Sequence, residues 1–190
     1  MQGLIMASDV SLTVGTQILF NSSYTPTAQG NIELATPTDV TWDFHNVAAD
    51  AMRASTKADL TATRAPEYAV HLAVEFNVVP ATGETVDLYW APSVQSVAAT
   101  GNPAWVSGTD ATYTGTPAAP AEARAQLMYI GSMVCSADFT TAVQMAFIGV
   151  FAPPTRYGCL VAHNNTIAAT FVTDANETAC SFTPIIPQGS

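Results

Sequence analysis

The chain has 190 residues, of which 48% are hydrophobic, and this size and composition suit one globular domain with a buried core. Only 11% are charged, and fifteen acidic residues against five basic ones give a net charge of −10. Because binding to phosphates requires clustered Lys and Arg, the scattered basic residues argue against a nucleic-acid or anionic-membrane partner. So little charge predicts either a surface partly covered by other subunits, which we favour, or solubility that rests on Ser, Thr and Asn.

The ends of the chain are expected to lie outside the folded body. Residues 1–10 are predicted to form an N-terminal arm, since their apolar patch is too short for a signal peptide and lacks a basic start. Residues 11–186 are expected to form a single β-sandwich domain, and residues 187–190 a C-terminal tail. No run approaches the ~18 apolar residues of a membrane span, so we expect a protein made in a cytoplasm, without a membrane partner.

The first third of the chain predicts short strands separated by polar loops, at 11–20, 31–34 and 40–44. The segment 46–60 changes character, because Ala, Met, Arg and Lys replace β-branched residues. It is compatible with a short helix near 48–54 or with a long ordered loop. We favour a loop with one helical turn, since its apolar spacing is weak.

The clearest pattern runs from Glu67 to Trp90. Apolar residues alternate with small or polar ones on both sides of a Pro/Gly segment at 80–84, which is typical of two strands. Two alternating runs joined by a short loop predict an antiparallel hairpin in the middle of a sheet.

The segment 91–123 is rich in Pro, Gly, Thr and Ala and shows no period, which predicts a long functional or partner-binding loop. Its aromatic residues Trp105 and Tyr113 are candidate interface residues that anchor on a neighbouring molecule. The alternative is that both fold back onto the domain as lids.

Strands return after this loop. The segments 126–135 and 142–151 are apolar on both faces, which predicts two strands covered on both sides and joined by a turn. Shorter strands are predicted at 158–163, 168–173 and 178–183, before a Pro/Gly tail from Pro184. The fold class is therefore all-β, an antiparallel jelly-roll sandwich of about eight to ten strands with one possible short helix. An immunoglobulin-like sandwich is the alternative fold. We rank it second because the sequence lacks the Cys–Trp–Cys framework of that fold.

The sequence contains no catalytic, nucleotide-binding or metal-binding motif, so we predict a protein that is not an enzyme and carries no cofactor or metal. Its histidines, His45, His71 and His163, are widely spaced. We expect His71 at the surface or an interface and His163 as a simple strand cap. The residues 174–177 resemble a polar turn more than a calcium loop.

The acids of the predicted hairpin, Glu75, Glu84 and Asp87, are expected to be solvated surface residues. Cys135, Cys159 and Cys180 have no CxxC spacing and are expected to be buried free thiols. One disulfide or an inter-chain bond is the alternative.

Several phrases of the chain resemble tailed-bacteriophage virion structural proteins of jelly-roll type, over roughly residues 47–186. These phrases are MRASTKADLTATRAPEYAV (52–70), TVDLYWAPS (85–93), GNPAWVSGTDATYTG (101–115), LMYIGSMVCSAD (127–138), IGVFAPPTRYGCLVAHN (148–164) and TPII (183–186).

This resemblance implies a non-enzymatic virion protein, most plausibly a capsid decoration (cement) protein that stabilises the shell as a homo-oligomer. The expected partners are copies of the chain itself, with a trimer as one option, and the major capsid protein or other virion proteins. A tail, neck or fibre component, or a carbohydrate-binding jelly-roll module, is the alternative. The resemblance supplies no catalytic residues.

Overall fold

The computed structural model describes residues 11–26, 30–62, 64–115, 119–137, 143–172 and 176–188, so the predicted arm at 1–10 lies outside the described residues. A short α-helix, α1 (Pro120–Arg124), and a single 3-10 turn (Pro103–Trp105) accompany the strands. The strands are β1 (Ser11–Val14), β2 (Ile18–Asn21), β3 (Thr38–Thr41), β4 (Met52–Ala54), β5 (Ala58–Asp59), β6 (Glu67–Val74), β7 (Thr85–Ser93), β8 (Ala111–Thr112), β9 (Met128–Val134), β10 (Gln144–Phe151), β11 (Tyr157–Asn165) and β12 (Ala179–Gln188).

The strands form two sheets of six, which we call sheet A and sheet B. Sheet A has the order β10-β6-β12-β2-β3, and β1 lies next to β2 along the same side of β12. Sheet B has the order β8-β4-β11-β7-β9, and β5 lies next to β4 along β11. Every pairing is antiparallel except that of β2 with β3.

The connectivity confirms the predicted jelly roll. The first half of the chain pairs with the second half in reverse order, β2 with β12, β4 with β11, β6 with β10, and β7 with β9. These nested pairs fall alternately in sheet A and sheet B, as when one long hairpin is rolled into two Greek keys. The segment between β7 and β9 is the tip of this hairpin, and we call residues 94–127 the excursion.

The hairpin predicted for Glu67–Trp90 is wrong, because β6 lies in sheet A and β7 in sheet B. Each strand is central in its own sheet, and the loop between them crosses from one sheet to the other. Alternation shows which side chains face the core, but not which strand lies alongside. Here the inward rows of the two strands, such as Leu72 and Leu88, belong to the same core between the sheets.

The core between the sheets is rich in aromatic rings, because inward positions on both sheets carry them. Trp90 lies near the middle and contacts rings from sheet A, with centroids 5.7 Å from Phe182 and 6.4 Å from Phe20. Its indole also lies directly over Gly158 of β11, where an added Cβ would come within 2.3 Å of the ring. Gly158 is therefore required by this close approach.

The structure corrects several local predictions. The helical turn expected near 48–54 is wrong, since Met52–Ala54 forms β4 and buries Met52 and Ala54 on the outer side of sheet B. Residues 31–34 form no strand, and of 168–172 only Phe171 makes a bridge, to Phe76. The tail expected from Pro184 is wrong up to Gln188, because β1 pairs with this end of β12, from Val14↔Ile185 to Ser11↔Gln188. The prolines at this end of β12 are tolerated in the strand because proline lacks only the backbone N–H donor, while its carbonyl oxygen still accepts a hydrogen bond.

Candidate functional site

The excursion folds back over the outer face of sheet B and covers its inner strands β4, β7 and β11. Ala104, Val106 and Ala123 from the excursion are buried against Tyr89 of β7 and Val161 of β11, which forms a second, smaller core. The residues in contact are mostly small, so the backbone of the excursion lies close to the sheet. The long loop predicted from composition is therefore an ordered layer over its described residues, 94–115 and 119–127.

Lys57 fixes the first half of the excursion. Its ammonium lies 2.7–3.1 Å from four oxygen atoms, three of which are backbone carbonyls. Burial lowers the pKa of Lys57. A charged donor with several oxygen partners forms stronger bonds than a neutral one, so this side chain ties the loop to the sheet. The acceptors are Ser93 Oγ and the carbonyl oxygens of Gln95, Val97 and Thr100.

The two predicted interface residues take different positions on the excursion. Tyr113 is half-buried, and its hydroxyl donates a 2.6 Å hydrogen bond to the carbonyl oxygen of Ala104. Trp105 is 76% exposed. Ala104 and Trp105 both have left-handed backbones, with φ of 52° and 53°, which is unfavourable for residues with a side chain. Tyr113 thus folds back as a lid, Trp105 points outward, and an interface role for either stays a prediction.

Beneath the excursion, a polar network lies on the outer face of sheet B around His163. The prediction of His163 as a simple strand cap is wrong, because its side chain is fully buried between charged partners. Its Nδ1 lies 2.9 Å from Arg124 of α1 and its Nε2 lies 3.0 Å from Asp50. Asp87 lies 3.7 Å from Nδ1 and accepts a short hydrogen bond from Ser132. The network therefore links α1 to strands β7, β9 and β11.

The geometry of this network fixes how the protons are arranged. The Arg124 guanidinium can only donate, so Nδ1 of His163 accepts and Nε2–H donates to Asp50. Ser132 donates to Asp87 rather than to the imidazole. A serine nucleophile requires a base that takes its proton, and a histidine whose Nδ1 is occupied by Arg124 does not fill that role for Ser132. The arrangement suits a structural clamp better than acyl transfer.

Asp87 is buried, so its prediction as a solvated acid is wrong. Burial by itself raises the pKa of Asp87, but the neighbouring His163, Ser132 and Thr85 side chains lower it by more. The net effect places the pKa of Asp87 below its ordinary value. The carboxylate is thus ionised in the folded protein at neutral pH and helps to hold Arg124, 3.8 Å away.

The three cysteines are free and buried, as predicted. Burial raises the pKa of Cys159 to about 12 and that of Cys135 to about 11, so neither provides a reactive thiolate at neutral pH. In the described part of the chain, no group of three or more His, Cys, Asp or Glu side chains is arranged to hold a metal ion. The turn considered for calcium includes Asp174, which lies outside the described residues.

The outer face of sheet A differs because its edge strand β10 exposes large apolar side chains. Met145, Phe147 and Val150 are half-exposed or more, with Phe147 at 58%. Phe147 contacts the ring of half-buried His71, with centroids 5.2 Å apart, and burial lowers the pKa of His71. A groove of about 440 Å³ separates Met145 from the residue 31–34 segment. We call Met145, Phe147 and Val150 the β10 face.

The prediction that β9 and β10 are covered on both sides is wrong for the single chain. Both are edge strands, and β9 also exposes large side chains, Met128, Tyr129 and Val134. The signal was present in the sequence, because apolar residues on both faces of a strand require a cover on each face. The cover was assumed to come from the same chain, so the β10 face was missed as a candidate site.

None of the helices in the described part of the chain is long and apolar enough to cross a membrane. Comparisons with family models, curated proteins and solved structures found no match to this chain. The resemblance to virion structural proteins therefore remains a prediction from the phrases quoted above.

Proposed function

We propose that the chain is a non-enzymatic structural subunit that assembles with further copies of itself through the β10 face. The observation that carries the proposal is a row of three exposed apolar side chains on one edge strand. Single exposed apolar residues in loops are ordinary, but an apolar edge strand is a site where chains associate. Proteins that remain monomeric usually protect such strands with charge, and β10 (QMAFIGVF) has none.

The distribution of charge favours a second copy as the occupant. The chain carries −10, so identical molecules repel each other wherever acidic surfaces meet. Neither β9 nor β10 contains a charged residue, so two copies that approach along this edge of the sandwich bring no charged strand residues together. Apolar area buried there contributes about 25 cal/mol per Å², which favours association of preformed subunits.

The non-enzymatic part of the proposal is supported by the polar network on sheet B. Its serine is bonded to a carboxylate, and its histidine holds an arginine and an aspartate. His163 and Asp87 are buried and engaged with these partners rather than open to a substrate.

The particle to which such a subunit belongs is proposed from the sequence phrases. They resemble phrases of tailed-bacteriophage virion proteins, and a jelly roll that self-associates suits a decoration protein that stabilises the shell. A part of the tail, neck or fibre is the alternative position in the same particle.

Self-assembly is tested by light scattering over a concentration series with two substitutions that add the same charge. Phe147→Asp places a carboxylate in the β10 face, whereas Ile167→Asp places one at an isolated turn residue that is 89% exposed. We expect an oligomer for the unmodified chain and for Ile167→Asp, and a monomer for Phe147→Asp. A monomer at every concentration for the unmodified chain, or an unchanged mass for Phe147→Asp, contradicts the proposal.

The virion role is tested separately with antibodies raised against the purified chain. Tailed phage particles from a bacterial culture that produces this chain are labelled with these antibodies and imaged by electron microscopy. Label over the shell supports a decoration protein, and label on the tail or neck supports the alternative position. Unlabelled particles contradict the virion role and leave the self-assembly result intact.

A further inference from the structure

We propose that the groove beside Trp105 is a binding site for a neutral saccharide, a function separate from self-assembly. The groove has a volume of about 240 Å³ and lies at the β8 edge of sheet B, away from the β10 face. Two aromatic residues and three hydroxyl residues line it: Trp105, Tyr113, Ser107, Thr112 and Thr114.

The first argument is the way in which Trp105 is held. Its indole is largely exposed, although a buried position would gain hydrophobic free energy. Consecutive left-handed residues, Ala104 and Trp105, hold the backbone in this conformation, which is unfavourable for residues with a side chain. Backbone strain of this kind occurs at ligand-binding positions, where the surrounding structure over-determines it.

The surrounding structure does over-determine this turn. The Asn102 side-chain amide donates to the carbonyl oxygens of Ala98 (2.7 Å) and Val106 (2.6 Å), on either side of Trp105. At Gly108 the chain passes so close to Ala98 that an added Cβ would lie 1.9 Å from its carbonyl oxygen. The indole is therefore presented by a rigid loop, and a ligand would not have to order it on binding.

The second argument is the chemistry of the groove wall. No charged side chain lines this groove within the described part of the chain. The exposed hydroxyls of Thr112 and Thr114 can donate and accept hydrogen bonds, whereas the hydroxyl of Ser107 already donates to the carbonyl oxygen of Thr109. Aromatic rings offer a flat apolar surface, on which the C–H face of a pyranose ring stacks. A ligand that combines an apolar face with a rim of neutral hydroxyls matches this wall, whereas an anion finds no partner of opposite charge.

The arrangement also favours a small ligand over a protein. The Arg53 side chain next to the groove lies 2.9 Å from Asp110 and 3.6 Å from Asp43, so its positive charge is paired and does not attract an anionic macromolecule there. A protein anchor generally fills a pocket with an apolar side chain, whereas this groove is lined by both hydroxyl and apolar residues.

The test uses Trp105 as its own reporter. The other tryptophans, Trp42 and Trp90, are fully buried, so acrylamide quenches the fluorescence of Trp105 selectively. The probes are maltose, cellobiose, lactose and N,N′-diacetylchitobiose at millimolar concentrations, with 3′-sialyllactose and tetramethylammonium as charged comparators. We expect at least one neutral disaccharide to protect Trp105 from quenching. Trp105→Phe assigns the quenched signal, because that signal should disappear in the variant.

Two matched threonine variants check the hydroxyl contacts. Thr114→Val removes a hydroxyl from the groove, and Thr38→Val removes one from β3 on sheet A. Thr114→Val should weaken binding about two- to tenfold, the effect of one lost neutral hydrogen bond, and Thr38→Val should leave it unchanged.

Three results overturn the proposal. The first is that no neutral disaccharide protects Trp105. The second is protection by tetramethylammonium alone, which would assign the indole to cation–π binding. The third is protection that grows with protein concentration in the absence of sugar, which would make Trp105 a contact between subunits.

Discussion

The outer faces of the two sheets are built from similar residues but end in different environments. On sheet B, the outward Val161 and Cys159 of β11 are completely buried, because the excursion lies over them. On sheet A, the outward Phe147 and Val150 of β10 remain exposed. An apolar outward residue on a jelly-roll strand therefore indicates a need for a cover, while the source of the cover depends on where the long loops lie.

The difference between the covered outer face of sheet B and the open outer face of sheet A is tested by placing the same negative charge on each. This test has the largest expected effect. Val161→Asp buries an unpaired carboxylate beneath the excursion and should lower the free energy of unfolding by about 4 kcal/mol or more. Phe147→Asp should change it by less than about 1 kcal/mol, because its side chain already meets water in the single chain. Urea unfolding of the two variants measures both values, with Phe147→Asp studied at concentrations where it is monomeric. Equal losses would mean that sheet A also has a cover.

The attachment of the excursion is tested by Lys57→Met, which keeps the length of the side chain and removes its charged donor. We expect a loss of about 2 kcal/mol, since one hydrogen bond to a charged group contributes about 1.5–3 kcal/mol. Hydrogen exchange of the backbone amides at residues 94–115 and 119–127 should accelerate, whereas exchange of the amides in β6 and β12 should not. Uniform acceleration across both sheets would show that the excursion is not a separately opening layer.

The polar network predicts a dependence of stability on pH. The pKa of Asp87 is lowered on folding, so its contribution is complete above the unfolded value of about 3.9 and is lost as the pH falls through the folded value. Asp87→Asn should therefore be less stable than the unmodified chain at pH 7, by about 1–2 kcal/mol. The difference should shrink below about pH 4. Urea unfolding at both pH values measures it, and a constant difference would exclude the carboxylate charge as its cause.

The smallest effect concerns the thiols, which report on the two cores separately. Cys159 lies under the excursion and Cys180 lies between the sheets, and burial raises the pKa of both thiols. Neither should react with a disulfide reagent in the folded chain. In Lys57→Met we expect Cys159 to react before Cys180, and mass spectrometry of the labelled peptides identifies the order. Simultaneous labelling would indicate global unfolding.

Much of the fold could be predicted because alternation is a local property. Alternation correctly predicted that β6 and β7 are strands, and one alternating row of each, including Val70 and Leu72 in β6 and Leu88 and Trp90 in β7, is buried in the core. Their pairing could not be predicted, since the partner of each strand is remote in sequence: Val70 pairs with Gly149 and Phe182, and Trp90 with Leu160.

The candidate sites were predicted less well than the fold. Trp105 and Tyr113 were singled out by their place in a long loop, but their separate orientations depend on the left-handed turn at Ala104. His163 was taken for a strand cap and Asp87 for a solvated acid, because their charged partners, Asp50 and Arg124, are distant in the chain.

What the sequence determined by itself is the all-β class, the approximate positions of the long strands, the thiol state and the scarcity of charge. These follow from side-chain periodicity and composition, which act locally or as averages. The tertiary structure alone decided that β6 and β7 lie in opposite sheets, that the excursion covers the inner strands of sheet B, and that the β10 face stays open. The physical reason is that burial depends on which distant segment packs on a given face, and the same apolar residue is compatible with either outcome.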